Sequence, residues 1–311
     1  MVQASPLKPK MIAIVGPTAV GKSTLACTLT GQLNGAVINF DSQQVYRQLN
    51  IGTGKLPLNE RNPNHYLLDL LDLDETMSAG DFAERAKKQI EPLLQEKILP
   101  ILVGGTGLYL KSILYGLDNL PKRNSIIRNK LNTIIKSKGL NNLYAQLKQV
   151  DPSLAKKIQL NDQARIIRFL EIYELTQKPP SHLLKQQQIS PYDCFILGLN
   201  LPRPELHHAI AERIEAMLQA GWQNEVEGLM QQGYDFEKLS ATAIGYCELQ
   251  KVIQNKISLN DAKQAILIQT RQYAKRQITW FKKEKINLWI NPNSEAEIAQ
   301  AIEQIKTFLI K

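Results

Sequence analysis

The sequence predicts an α/β fold, in which helices wrap a parallel sheet and an all-helical insertion interrupts the core. Apolar runs suited to strands recur six times along the chain, and most intervals between them have helical periodicity. Alternation of this kind indicates a parallel sheet covered by helices. The six runs are Met11–Val15, Ala36–Phe40, Tyr66–Leu71, Leu99–Val103, Cys194–Leu201 and Asn287–Ile290.

The interval from Leu120 to Pro191 predicts the insertion, because it reads as helices with no strand between them. A glycine at position 139 ends one helix, Asp151 followed by proline begins another, and a Pro-Pro pair at 179–180 stops the last. The polar stretch Lys185–Ser190 is a plausible return linker. We therefore predict core parts at residues 10–120 and 192–311, separated by a helical insertion domain at 121–191. The predicted helices are Ser125–Lys138, Asn142–Val150, a short helix capped by Asp151, and Asp162–Thr176.

The bulk composition is that of a globular protein. Of the 311 residues, 43% are hydrophobic and 22% charged, and no 18-residue apolar run could span a bilayer. The opening MVQASPLKPK lacks the features of a signal or transit peptide, so we expect a soluble cytoplasmic protein, and a monomer. Three widely spaced cysteines exclude a disulfide framework and zinc-finger spacing. The net charge of +9 is compatible with a polyanionic partner.

The stretch GPTAVGKS, residues 16–23, fits the pattern of a phosphate-binding P-loop and follows a predicted strand. Gly16 and Gly21 allow the backbone to turn its N–H groups toward an anion, Lys22 adds a positive charge, and the Ser23 hydroxyl can bind Mg²⁺. A helix should begin at Ser23. The motif alone is compatible with three classes of protein: an NTPase, a small-molecule kinase, or an enzyme that expels diphosphate.

Two further strand ends carry candidate functional groups. Asp41, in NFDSQQVY, follows the second predicted strand, where it is either a catalyst beside the phosphate loop or the N-cap of a following helix. The strand Leu99–Val103 ends in glycines and Thr106 instead of the aspartate that many phosphate-loop NTPases carry there. Asp69 or Asp72 could still serve a metal, so ATP hydrolysis is disfavoured without being excluded.

A basic helix is predicted near the C-terminus, capped by Asn260 or Asp261 and running to about Lys283. Between Arg271 and Lys283 there is no acidic residue, and the cations share one arc of the helix. The opposite, mainly apolar arc consists of Tyr273, Ala274, Gln277, Ile278, Trp280 and Phe281. This segregation favours a surface that binds the phosphates of a polyanion over a merely solvated helix face.

Taken together, these residues resemble the bacterial tRNA dimethylallyltransferase family, also called isopentenyl-tRNA transferases. The motifs that carry the resemblance occur in the family's order and extend from about Met11 to Phe281. They are GPTAVGKST, DSQQVY, ILVGGTGLY, AIGYCEL and TRQYAKRQITWFK.

The resemblance implies transfer of a dimethylallyl group from dimethylallyl diphosphate to the exocyclic amine of the adenosine immediately 3′ of a tRNA anticodon. It implies that the phosphate loop holds the diphosphate of the prenyl donor, with Mg²⁺ on Ser23 as the cofactor. Asp41 is then the general base, Thr106 a positioning hydroxyl, and the target base is flipped out of the anticodon loop.

The site residues implied by the resemblance fall into two sets. Diphosphate binding is assigned to Gly16, Thr18, Ala19, Val20, Gly21, Lys22, Ser23, Thr24 and Arg213. Contact with the tRNA anticodon stem-loop is assigned to Asp41, Ser42, Gln43, Gln44, Thr106, Arg128, Arg165, Lys275, Arg276, Gln277, Thr279, Trp280 and Lys282.

The sequence departs from the family pattern at two places. NDQAR, ending at Arg165, stands where NDPxR is common, and Cys247 stands where lysine is frequent. The alternative function is a phosphate-loop NTPase or small-molecule kinase with a nucleic-acid-binding surface.

Overall fold

The computed structural model describes residues 8–57, 61, 64–118, 120–184, 189–239 and 243–311. The strands are β1 Lys10–Val15, β2 Gly35–Asn39, β3 His65–Tyr66, β4 Leu99–Gly104, β5 Asp193–Leu199 and β6 Leu288–Ile290. The first eight helices are α1 Lys22–Leu33, α2 Ala79–Gln95, α3 Gly107–Tyr115, α4 Ser125–Lys138, α5 Leu140–Val150, α6 Pro152–Ala155, α7 Gln163–Thr176 and α8 Pro180–Leu183. The remaining helices are α9 Arg203–Gln219, α10 Trp222–Gln231, α11 Tyr246–Ile253, α12 Leu259–Phe281 and α13 Glu295–Ile310.

The six strands form one parallel sheet in the order β3-β2-β4-β1-β5-β6, which confirms the predicted α/β fold. The central strand β1 is flanked by β4 and β5, and five of its six residues are buried. Parallel strands present their carboxyl ends at one edge of a sheet, where such folds place their ligands. The segments that follow β1, β2 and β4 are therefore neighbours, although 25 residues separate the end of β1 from Phe40.

The predicted strand Tyr66–Leu71 is wrong beyond its first residue. Only His65–Tyr66 is a strand, because Leu67 and Asp69 adopt φ values of +64° and +58° that leave the extended conformation. The end of the predicted strand forms one isolated parallel β-bridge, between Leu71 and Tyr46. An apolar run thus predicted a strand where the backbone turns twice.

Helix starts show how local chemistry sets the boundaries. α1 begins at Lys22, one residue before the prediction, because Gly21 takes the left-handed cap position with φ +86°. The predicted cap of α12 at Asn260 or Asp261 is wrong. Ser258 is the cap: its extended backbone lets Oγ accept from the N–H of Asp261 at 3.1 Å.

Two compact units divide the chain. One contains the described residues up to 114 and from 190 onward, and the other contains residues 115–189, a range that overlaps the predicted insertion at 121–191. Within the second unit, α4 and α7 match the predicted helices closely. Four residues of the predicted linker, 185–188, and residues 1–7 of the predicted tail lie outside the described part of the chain.

The helical unit has an apolar core of its own. Each leucine buried there contributes roughly 1.5–3 kcal/mol through the hydrophobic effect. Glu171 is also buried, and its carboxylate is satisfied by the Asn124 N–H at 2.6 Å and by Arg168 at 2.7 Å. The core residues are Leu131, Leu143, Leu147, Leu154, Ala155, Ile158, Ile166, Ile167 and Leu170.

Among the described residues, no helix has the length and apolar character needed to cross a membrane.

Candidate active site

The phosphate loop, residues 16–23, lies between β1 and α1 at the centre of the sheet. A side chain at Gly16 would put its Cβ 2.5 Å from the Leu199 carbonyl oxygen, so only glycine fits there. Ala19 has φ +65° and Gly21 φ +86°, so the loop turns through left-handed conformations before the helix starts. The loop therefore places the N-terminus of α1, with its partial positive charge, beside an open cavity.

Lys22 folds back across this loop. Its ammonium donates to the carbonyl oxygens of Gly16 at 3.1 Å and Pro17 at 2.6 Å. Burial lowers the pKa of Lys22 to about 8; the nearby Asp41 carboxylate opposes this shift and Arg213 adds to it. Lys22 is thus a cation with poor solvation, which an incoming phosphate would stabilise.

The cavity beside the loop, called here the loop cavity, has a volume of about 260 Å³. Asp41 is the only carboxylate that lines it within the described chain. Asp69 and Asp72, the alternative acids, are held elsewhere: Asp69 by Lys55 and Arg61, and Asp72 by Arg47. The loop cavity is lined by the loop residues Thr18 to Thr24 together with Asn39, Asp41, Gln44, Thr53, Gly54, Leu56, Val103, Gly104, Arg213 and Gln277.

Asp41 stands just beyond the carboxyl end of β2. No helix begins within the described residues 42–57 that follow it, so the N-cap alternative fails in the form proposed. Asp41 Oδ1 does accept from the Gln43 N–H at 2.8 Å within a tight turn. The Asp41 N–H itself donates to Asn39 Oδ1 at 3.2 Å. These two bonds fix the orientation of the carboxylate at the mouth of the loop cavity.

Thr106 lies immediately before α3 and reaches the residue next to Asp41. Its Oγ1 accepts from the Ser42 N–H at 3.0 Å and lies 3.2 Å from Ser42 Oγ. Tyr273 of α12 approaches the same group: burial and the charge of Asp41 raise the pKa of Tyr273, whose hydroxyl interacts with Thr106. The predicted pair Asp41 and Thr106 is therefore brought together with a tyrosine that the sequence reasoning had placed on the apolar face of the helix.

Arg213, on α9, also faces the loop cavity. Its Nη2 donates to the Thr53 carbonyl at 3.1 Å, and a Cβ at Gly54 would lie 2.1 Å from the same nitrogen. Burial lowers the pKa of Arg213, and Asp41 opposes that shift. The Arg213 cation and the phosphate loop thus line the same cavity.

The turn that holds Arg213 is itself anchored by Glu225 of α10. That carboxylate accepts from the N–H groups of Asn50 at 3.1 Å and Ile51 at 2.9 Å, and from the Tyr246 hydroxyl at 2.6 Å. Sequence reasoning missed this segment, although its glycines at 52 and 54 were a visible signal of close packing. A Cβ at Gly52 would lie 2.1 Å from Trp222 Nε1.

A second cavity of about 270 Å³, called here the apolar cavity, adjoins the first. The two share Thr18, Asp41, Thr53 and Arg213, so the charged groups lie where the cavities meet. Tyr273 and Arg276 of α12 also line the apolar cavity. Its apolar lining consists of Ile210, Ile214, Met217, Trp222, Ala243, Ile244 and Ile266.

The residues assigned to tRNA contact fall into several places. On α12 and its C-cap, the exposed side chains of Lys275, Arg276, Thr279 and Lys282 form what we call the basic face. In contrast, Gln277 is 5% exposed and engaged with the phosphate loop, so it lies behind that face.

The other assigned residues lie in different surroundings. The Trp280 ring packs against Gly107, and the Gln44 side chain donates to the Thr53 carbonyl at 3.1 Å. Gln43 and Ser42 line the apolar cavity. In the helical unit, Arg165 pairs with Asp162 at 3.4 Å and Arg128 lies 3.8 Å from Glu171.

Comparison with known proteins places this geometry in a family. The IPP transferase family model matches residues 44–284. The tRNA dimethylallyltransferase 1 of Syntrophotalea carbinolica is 39% identical over 97% of this chain and 96% of its own length. The tRNA dimethylallyltransferase of Geobacter sulfurreducens is 40% identical over 91% of this chain and 92% of its own length.

Solved structures of related enzymes match the fold of this protein over nearly the whole chain. The full-length tRNA isopentenylpyrophosphate transferase of Bacillus halodurans matches with a TM-score of 0.71 and 33% identity, covering 96% of each chain. A eukaryotic dimethylallyltransferase acting on tRNA matches with a TM-score of 0.81 and 31% identity, over 97% of this chain and 79% of that one. Because the family model and these relatives match most of its length, this chain belongs to the IPP transferase family.

Proposed function

We propose that this protein transfers a dimethylallyl group from dimethylallyl diphosphate to the exocyclic amine of the adenosine immediately 3′ of the anticodon in tRNA. The observation that carries the proposal is the junction of the loop cavity and the apolar cavity at Asp41 and Arg213. A prenyl diphosphate has a charged end and an apolar end, and the two adjoining cavities match that division. The names of the relatives at 39–40% identity support the same reaction.

The donor's diphosphate would lie in the loop cavity. The N-terminus of α1 and Lys22 face it from one side, and Arg213 faces it from the other. Cations and fixed backbone dipoles stabilise the negative charge that grows on a departing diphosphate, because they need no reorganisation during the reaction. The dimethylallyl group would extend into the apolar cavity.

Asp41 is the group positioned to act as general base. In the proposed reaction, the adenine amine nitrogen forms a bond to C1 of the dimethylallyl group, and the C1–O bond electrons leave with diphosphate. The Asp41 carboxylate accepts the proton that the nitrogen loses, a role worth roughly 10²–10⁴ in rate. In this proposal the amine is held by the Thr106 hydroxyl, which accepts a hydrogen bond from the Ser42 N–H at 3.0 Å.

Mg²⁺ fits this site as a partner of the donor. The Ser23 hydroxyl is exposed at the start of α1 and lines the loop cavity, where it would hold the ion. Mg²⁺ commonly binds through one or two protein oxygens together with substrate phosphates. The ion would supply further charge neutralisation for the diphosphate.

The tRNA would lie on the basic face of α12. Its cations supply salt-sensitive affinity for RNA phosphates without choosing a sequence. The target adenine would leave its stack and enter from this side, since Tyr273 and Arg276 join the basic face to the apolar cavity. We also propose that the protein works as a monomer in the cytoplasm, which light scattering and cell fractionation would test.

The decisive experiment is mass analysis of nucleosides after incubation of the protein with dimethylallyl diphosphate, Mg²⁺ and unmodified tRNA. We expect adenosine to gain one dimethylallyl group at the position 3′ of the anticodon. Parallel incubations with ATP in place of the donor, and with Asp41→Asn, serve as controls. If the tRNA gains no prenyl group while ATP is hydrolysed, the protein is a phosphate-loop NTPase instead.

A further inference from the structure

Gln277 is a buried polar residue in the middle of α12. Its Oε1 accepts from the Thr18 N–H at 2.8 Å, and its Nε2 donates to the Gly105 carbonyl at 3.1 Å. The side chain is 5% exposed, so both bonds are shielded from water. A buried amide with donor and acceptor both satisfied holds its partners firmly, since losing either bond leaves an unpaired polar group.

These two bonds join three segments that are distant in sequence. Thr18 belongs to the phosphate loop after β1, Gly105 belongs to the turn after β4, and α12 supplies the amide. A Cβ at Gly105 would lie 1.9 Å from Gln277 Nε2, so the amide is packed directly onto the backbone of that turn. The amide therefore bridges the ends of two neighbouring strands.

The phosphate loop needs such support, because its conformation is costly. Ala19, which follows Thr18 directly, has φ +65°, and Gly16 has φ +152°. A non-glycine residue in the left-handed region costs on the order of 1–3 kcal/mol and persists only where surrounding contacts hold it. The bond from the Thr18 N–H to Gln277 lies between these two positions.

The opposite side of the same helical turn belongs to the basic face. Lys275, Arg276 and Thr279 are exposed within two residues of Gln277. One stretch of α12 thus carries the surface that we propose binds tRNA. It also carries Gln277, which bonds to the loop that we propose binds the donor.

We propose that Gln277 is a positioning residue, which fixes the shape of the phosphate loop against α12 and thereby sets the affinity of the loop for diphosphate. This role replaces the direct tRNA contact that the sequence resemblance had assigned to Gln277. It rests on the proposed function only for the identity of the donor, because binding of inorganic diphosphate can be measured without tRNA or a prenyl group.

The test compares Gln277→Met, which keeps the side-chain length and removes both hydrogen bonds, with Gln264→Met on an exposed position of the same helix. Calorimetry with inorganic diphosphate and Mg²⁺ should show about tenfold weaker binding for Gln277→Met and no change for Gln264→Met. In the transfer reaction, KM for dimethylallyl diphosphate should rise by a similar factor, whereas tRNA affinity in filter binding should stay at the wild-type value.

Gly105→Ala is the second variant, because its methyl group displaces the amide while leaving Gln277 in place. It should weaken diphosphate binding by a similar factor. The double variant, Gln277→Met with Gly105→Ala, should bind diphosphate no more weakly than either single variant. Unchanged diphosphate affinity in either folded variant, or a loss confined to tRNA binding, overturns the proposal. Failure of both variants to fold also overturns it, since Gln277 would then serve stability alone. Absence of prenyl transfer by the wild-type protein would contradict the proposed function and leave the diphosphate result standing.

Discussion

The Ser42 backbone N–H donates to the Thr106 hydroxyl at 3.0 Å, although 64 residues separate them in the sequence. This bond ties the turn that orients Asp41 to the turn that follows β4. The bond consequently fixes the distance between the segment of the candidate base and the candidate positioning hydroxyl, and a reaction with a narrow geometry requires such fixed positions.

Replacing Asp41 by asparagine should separate binding from chemistry. The amide keeps the size of the side chain and an acceptor for the Gln43 N–H, but it cannot take a proton from the amine. We expect kcat for prenyl transfer to fall by roughly 10²–10⁴ with tRNA affinity within twofold of wild type. Asp74→Asn, at an exposed position, is the matched control. Near-normal turnover by Asp41→Asn would reduce Asp41 to a turn-stabilising residue.

Arg213→Gln should weaken donor binding. The variant loses the positive charge opposite the phosphate loop while retaining a donor that can reach the Thr53 carbonyl. Loss of a charge-assisted contact predicts roughly ten- to hundredfold weaker binding of diphosphate in calorimetry. Arg203→Gln, exposed at the start of the same helix, controls for a general change in charge. Equal diphosphate affinity in the two variants would contradict the proposed role of Arg213 in donor binding.

Lys275→Ala combined with Lys282→Ala should weaken tRNA binding on the basic face. Each lysine that neutralises an RNA phosphate releases a counterion, so the slope of log K against log salt should become shallower by about 2 for the pair. The measurement is filter binding over a range of salt concentrations. Lys88→Ala with Lys306→Ala removes the same charge from exposed positions elsewhere. Identical slopes for both double variants would show that tRNA binding depends on the net charge of the protein and not on contact with the basic face.

Gly52→Ala should destabilise the wall of the apolar cavity. The new methyl group would meet the Trp222 ring at 2.1 Å, and overpacking of this kind costs about 1–3 kcal/mol. Chemical denaturation should show this loss together with a raised KM for the donor. Gly31→Ala, with open space around the new Cβ in α1, should instead gain about 0.5–1 kcal/mol. Wild-type stability of Gly52→Ala would mean that Trp222 can shift without cost.

The Lys55–Asp69 pair predicts a specific dependence of stability on pH. The Lys55 side chain is fully buried, and its ammonium lies 2.6 Å from Asp69 Oδ1. Burial by itself raises the pKa of Asp69, but hydrogen bonds from Lys55 and Arg61 more than offset this and bring it below 3.8. A carboxyl whose pKa is lowered by folding contributes stability above its unfolded pKa, and this contribution is lost as pH falls through the folded value.

Asp69→Asn should therefore lower the free energy of unfolding at pH 7 by roughly 2–3 kcal/mol, between the values for exposed and fully buried pairs, because Asp69 is partly exposed. Urea denaturation at pH 7 and at pH 3 measures the effect. The difference between variant and wild type should shrink at the lower pH. A difference that is constant with pH would mean that the aspartate acts through packing and not through its charge.

The amino-acid sequence by itself determined the features that depend on neighbouring residues. A strand followed by GPTAVGKS is a local pattern, and so are the buried run of β4 and the cation-rich arc of α12. Each of these patterns is contained in a short continuous segment of the sequence. The helices Ser125–Lys138 and Gln163–Thr176 were equally readable from their caps. The one strand that failed, beyond Tyr66, turns at Leu67 and Asp69. Asp69 forms ion pairs there with Lys55 and Arg61, and a local apolar pattern contains no information about such distant partners.

Only the tertiary structure decided how these parts meet. Gln277 reaches Thr18 across 259 residues of sequence, and Arg213 reaches Thr53 across 160. Such contacts arise because the parallel sheet gathers the ends of β1, β2 and β4 at one edge and the helices then close over it. Periodicity within α12 assigned Gln277 and Tyr273 to its inner side, but their partners are fixed by the packing of the helix against the sheet, which is a property of the whole chain.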